Sequence, residues 1–140
     1  MKTIKNIFTT TQPVKRLWII GINKYYLSKC PALLDHYIWE CVTEAGHFLN
    51  NQGRQSLLNW LADYGLTVHS SRVEDLKDMA AYMKKYPNVS KGKGADIADV
   101  ALVFLANHLK SSHIFTVDRA DFAVYRTKTG KPFTRLWVSE

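Results

Sequence analysis

His113-Ile114-Phe115-Thr116-Val117-Asp118 is a β-branched and aromatic run that ends on a carboxylate, and it reads as a buried strand delivering an acid at its carboxyl end. Just upstream, residues 96–110 read as a helix that Ser111-Ser112 terminates. Downstream, residues 125–138 are expected to hold short β pieces. Further back, Lys84-Lys85-Tyr86-Pro87-Asn88-Val89-Ser90-Lys91-Gly92-Lys93-Gly94 is a basic, glycine-bearing loop. Pro87 closes a helix whose apolar positions are Leu76, Met79, Ala80 and Met83, and Ser71 followed by Glu74 has the spacing of a capping box at its start. Leu66-Thr67-Val68-His69 reads as a strand. Leu57, Leu58, Leu61 and Ala62 form the stripe of a helix over 54–64 that Gly65 stops. Asn50-Asn51-Gln52-Gly53 is expected to end the preceding helix, which Asp35 is placed to cap. Pro31-Ala32-Leu33-Leu34 reads as a short buried strand, and residues 14–27 fit a strand or a helix equally. Strands alternating with helices predict an α/β fold with a mainly parallel sheet.

Composition agrees with that class. At 140 residues the chain is expected to be one domain, 1–140, able to bury a core without disulfide or metal staples. An apolar fraction of 46% and a charged fraction of 22% exclude disordered, collagenous and membrane chains. Apolar runs such as Leu17-Trp18-Ile19-Ile20 are far short of the roughly 20 residues that span a bilayer. No secretory apolar region follows the first residues, so a cytoplasmic location and no membrane partner are expected. Cys30 and Cys41 have neither C-x-x-C spacing nor a histidine cluster, and read as reduced thiols. A net charge of +7 favours a polyanion such as RNA or DNA. Residues 1–34 carry Lys2, Lys5, Lys15, Arg16, Lys24 and Lys29 and no acid, so all twelve acids lie from Asp35 onward.

Several of those acids could act together. In open parallel sheets, ligand sites collect at the carboxyl ends of strands, where Asp118 falls. Asp96 and Asp99, three apart at a helix start, can share one face, and Glu44 lies on another helix. Carboxylates converging on one point repel unless they share protons or bind a hard cation, Mg2+ or Mn2+. Each also has a simpler reading. Asp96 and Asp99 suit an N-cap and first turn, Asp118 and Asp121 a turn cap, and Glu44 an exposed helix face. Trp18, Trp39, Trp60 and Trp137 are scattered and read as core packing rather than a base-stacking platform. His36, His47, His69, His108 and His113 have no metal-ligand spacing and take surface or core roles.

Gly94-Ala95-Asp96-Ile97-Ala98-Asp99-Val100-Ala101-Leu102-Val103, then Ile114-Phe115-Thr116-Val117-Asp118-Arg119-Ala120-Asp121-Phe122-Ala123-Val124-Tyr125-Arg126, resemble the two C-terminal signatures of PIN-domain proteins, in particular the VapC toxin ribonucleases. Val42-Thr43-Glu44-Ala45 is similar to the family's upstream glutamate motif and Pro132-Phe133 to its closing segment, so the resemblance covers 31–137 and leaves 1–30 atypical. It implies a three-layer α/β/α fold and a metal-dependent endoribonuclease, the toxin of a type II toxin–antitoxin pair. Glu44, Asp99 and Asp118 would be the acidic core, with Asp96 and Asp121 as accompanying Mg2+ or Mn2+ ligands and Thr116 supporting the Asp118 turn. A metal in such a site activates water and stabilises charge developing at the scissile phosphate. RNA, a cognate antitoxin protein and a second copy of the chain are the implied partners. Lys91, Lys93, Arg119 and Arg126 stand near the acidic motifs and could contact phosphates; Lys128, Lys131 and Arg135 also lie nearby.

The family's first strand normally delivers a further metal-binding Asp, and residues 1–34 contain no acid. Thr9 or Thr10 could occupy that place, but a neutral hydroxyl binds a hard cation far less well than a carboxylate. Impaired or lost nuclease activity is therefore expected, or else a start further upstream. The alternative reading is a catalytically inactive PIN-like protein that binds RNA or a partner protein.

Overall fold

The computed structural model describes residues 36–63, 67–116 and 119–136. The strand expected over 31–34, the ambiguous 14–27 segment, Cys30, Thr9, Thr10, Trp18, Trp137 and Asp118 lie outside them.

His36, Tyr37 and Ile38 form β1 (His36–Ile38) where a helix had been expected from Asp35 onward. Aromatic and β-branched side chains favour extended backbone, and the segment pairs in parallel with β2 (Thr67–His69), Tyr37 standing opposite Val68. Helix α1 (Trp39–His47) therefore begins at Trp39 with Ile38 in the N-cap position, so Asp35 is not its cap. The polar run 50–53 does not merely end α1. The Asn50 side chain accepts from the Gly53 N–H at 2.9 Å, a hydrogen bond of N-cap type, and α2 (Asn51–Asp63) starts three residues before the expected helix.

The expected capping box is not formed. Ser71 donates its backbone N–H to Glu40 and Glu74 pairs with the Arg72 guanidinium. A 3-10 turn over Val73–Asp75 leads instead into α3 (Leu76–Lys84). After a short turn at Val89–Gly92, α4 (Ile97–His108) crosses the centre of the molecule and packs on α1, α3 and β1. Val100, Ala101 and Val103 on α4 have no exposed surface, which is why this helix is apolar almost all round. β3 (His113–Phe115) then pairs in parallel with β4 (Thr134–Leu136), Ile114 opposite Arg135. Between them lie α5 (Arg119–Val124) and a turn closed by the Arg126–Pro132 bridge. The expectation of short β pieces near the C-terminus is met by that bridge and β4.

Among the described residues the architecture is thus helices mixed with two pairs of short parallel strands. Trp39, expected in the core, is 43% exposed, and Trp60 stacks edge-on to Tyr37. Among the described residues no helix is long and apolar enough to cross a membrane.

Candidate functional site

Gly94, at φ +84°, turns the chain into α4 through a backbone region that side-chain-bearing residues disfavour. Asp96 follows in extended conformation as the N-cap, its Oδ1 accepting from the Asp99 N–H at 2.8 Å. The simple reading of Asp96 as a cap is therefore a structural fact, and both acids occupy the end of α4 that the macrodipole favours for negative charge. Asp99 is nevertheless buried, at 7% exposure, which a carboxylate placed only for the dipole has no need to be.

Cys41 on α1 shows what surrounds Asp99. Its thiol points at α4, Sγ lying 3.7 Å from the Ala98 carbonyl oxygen. Burial pushes this thiol far above its usual range, and Asp99, Glu44, Asp96 and Glu40 push it further, in that order. α1, which carries Glu44, packs on α4, which carries Asp96 and Asp99, and all three acids act on the Cys41 thiol. A thiol held protonated in this way is a poor nucleophile.

Thr116 is fully buried at the end of β3. Asp118, two residues on, lies outside the described residues. Asp121, in the first turn of α5 and 6% exposed, accepts from Ser90 with both oxygens, from the backbone N–H at 2.9 Å and from Oγ at 2.5 Å. Among the described residues no group of three or more His, Cys, Asp or Glu is disposed to hold a metal ion; Asp118 is outside that set.

The basic residues take distinct places. Lys91, Lys93 and Arg119 are exposed, and the Arg119 carbonyl accepts from the Arg135 guanidinium at 2.6 Å. One nitrogen of the Arg126 guanidinium donates to the carbonyls of Ala123, Val124 and Tyr125 at 2.8, 2.8 and 2.9 Å. A cation there satisfies the C-terminal carbonyls of α5 and opposes its dipole, so one nitrogen of this guanidinium is engaged by its own helix end.

Two arrangements carry no local sequence signal. Ser90 looks like an ordinary loop residue until Asp121 is brought to it. His36 and His69 meet across β1 and β2 with ring nitrogens 2.8 Å apart, a pairing that becomes visible only once the strands are known to be neighbours. No protein-family model matches the chain, and no curated protein matches it either.

Proposed function

We propose that this chain is a PIN-like protein of VapC type with a three-layer α/β/α fold. In this reading it is a Mg2+- or Mn2+-dependent endoribonuclease and the toxin of a type II toxin–antitoxin pair, weakened by the lack of any acid in residues 1–34. The observation that carries the reading is the packing of α1, which bears Glu44, on α4, which bears Asp96 and Asp99, with all three acids acting on the Cys41 thiol between them. A helix N-terminus explains Asp96 and Asp99, but it gives no reason for Glu44 of a different helix to join them.

The donor chemistry fits a hard cation. The groups singled out are carboxylate oxygens, which suit Mg2+ or Mn2+ better than a thiophilic metal. Glu44, Asp99 and Asp118 would hold the ion, with Asp96 and Asp121 accompanying. Bound there, the ion supplies Lewis-acid charge beside the scissile phosphate. The chain's own residues would do the positioning: Asp96 accepts from the Asp99 N–H, and buried Thr116 would support the Asp118 turn. Lys91, Lys93 and Arg119 offer cations to the RNA backbone. A cytoplasmic setting, a homodimer and a cognate antitoxin protein belong to the same reading.

The test is Mn2+ titration calorimetry together with RNA cleavage, on the chain and on Asp99→Asn. Wild type is expected to bind Mn2+ weakly and to cleave slowly, and the variant to lose both. Cleavage that survives Asp99→Asn, or no Mn2+ heat with wild type, overturns the nuclease reading. The missing N-terminal acid favours a second reading, an inactive PIN-like protein that binds RNA or a partner protein. RNA binding without cleavage at any Mn2+ concentration would select it.

A further inference from the structure

Ser90 (φ 52°, ψ 45°) and Lys91 (φ 56°, ψ 41°) are consecutive left-handed residues, followed by Gly92 at φ 83°. L-residues with side chains avoid this region and hold it only where their surroundings impose it. Here the imposing group is Asp121, whose two oxygens grip the N–H and Oγ of Ser90 across 31 residues of sequence. The turn is also closed on itself, Gly94 N–H donating to the Val89 carbonyl at 3.0 Å. Its feet are fixed by burial of Val89 and Ala95.

A segment that only had to join α3 to α4 could place glycine at both left-handed positions at no steric cost. Instead the strain falls on two residues whose side chains do what glycine cannot. Ser90 supplies the hydroxyl that Asp121 holds, and Lys91 supplies an exposed cation at the tip of the turn. Lys93 is the second exposed cation, and no acid occurs between Lys84 and Asp96, so the turn's own side chains carry positive charge alone, while the Asp121 carboxylate that holds it is buried.

We propose that the Ser90–Asp121 clasp locks this turn in its left-handed shape so that Lys91 and Lys93 form a fixed two-cation grip on the phosphodiester backbone of single-stranded RNA. Ser90 and Asp121 are then positioning residues that act through the two lysines. This inference rests on the reading of the chain as a protein that acts on RNA, but it requires no metal.

The experiment is fluorescence anisotropy with a labelled 2′-O-methyl oligouridylate, in EDTA, across a salt series. Lys91→Ala/Lys93→Ala should lower the slope of log affinity against log salt by about 1.4, at ~0.7 per phosphate neutralised on a single strand. Ser90→Ala and Asp121→Ala should weaken binding and move the slope toward that of the lysine variant. Asp121→Asn should bind as wild type, because its oxygen still accepts from the Ser90 N–H and its amide donates to Oγ. Ser90→Gly keeps the N–H but loses the hydroxyl that Asp121 holds, so it should weaken binding and lower the slope, though less than Ser90→Ala because glycine takes the left-handed backbone without strain. The conservative Asp121→Asn keeps the test decisive if an alanine variant fails to fold.

Wild-type affinity and slope in Ser90→Ala and Asp121→Ala would overturn the clasp, as would a wild-type chain that does not bind the oligonucleotide in EDTA. If cleavage depends on Asp99 while Ser90→Ala binds normally, the clasp fails and the nuclease reading stands. If Ser90→Ala weakens binding in a chain that never cleaves RNA, the nuclease reading fails and the grip stands.

Discussion

Asp96 has a shown role in stability, which can be separated from the chemical role proposed for it. Its carboxylate accepts from the Asp99 N–H at 2.8 Å, satisfying one of the donors that every helix start leaves open. Asp96→Ala removes that acceptor and is expected to cost about 1 kcal/mol of unfolding free energy, measured by urea denaturation. Asp96→Asn keeps a capping oxygen and removes the charge, so its stability should stay near wild type while Mn2+ affinity falls. Equal destabilisation by the two variants would mean that charge at the helix end, not the hydrogen bond, is the stabilising element. The cap was legible in the sequence because it joins residues three apart, within reach of a local pattern. The grip of Asp121 on Ser90 was not, because nothing local in a Ser-Lys-Gly-Lys loop signals an acid 31 positions away. Glu44 lies between these cases. Its helix was expected, but the charge it contributes beside Cys41 depends on α1 packing against α4.

Element boundaries moved for the same reason. The periodicity of 54–64 located α2, but its start was set by Asn50, whose polar neighbours read equally well as a stop. β1 was hidden because a three-residue strand carries almost no pattern of its own and exists through pairing with β2. That pair also carries a titratable contact. The His36 and His69 rings have centroids 5.1 Å apart with nitrogens 2.8 Å apart, so the two nitrogens lie near the line joining the rings and aim at each other. One donates and the other accepts, which needs at least one neutral ring. Burial, then the neighbouring His36, lowers the pKa of His69. A folded-state value below the unfolded one means that protons favour the unfolded chain. This contribution is therefore complete above about pH 6.5, the usual histidine value, and is lost as pH falls through the folded-state value. Urea unfolding at a series of pH values should show stability falling below that point, with a smaller fall in His69→Gln. Comparing the two curves cancels other groups such as the His108–Asp75 pair. Parallel curves would mean the contact does not couple β1 to β2.

At the scale of the whole molecule, the question is whether α5 and the loops it holds are part of the same cooperative unit as α4. Phe122 has no exposed surface and stands edge-on to Tyr125 at 5.1 Å and to Phe133 at 6.4 Å. Tyr125 in turn meets Tyr86, edge-on at 5.2 Å, and Tyr82. Tyr82 packs edge-on to Phe104 of α4 and closes the network by exchanging hydrogen bonds with the Arg126 backbone, donating to its carbonyl at 2.8 Å and accepting from its N–H at 3.0 Å. One aromatic chain thus runs from the segment entering β4, through α5 and α3, into the central helix. Truncating a buried phenylalanine costs about 3–5 kcal/mol, a large part of the roughly 5–15 kcal/mol that holds a domain together. Because the ring contacts several elements at once, Phe122→Ala should lower the midpoint of a single unfolding transition, with fluorescence and far-UV circular dichroism coinciding. Val124→Ala, two residues along on a side chain that is 46% exposed, should change stability by less than about 0.5 kcal/mol. Two separated transitions in Phe122→Ala would mean that α5 and the Asp121 clasp fold apart from the core. The acidic neighbourhood on α1 and α4 would then keep its shape while the lysine grip came and went, and metal binding and RNA binding would respond to different mutations.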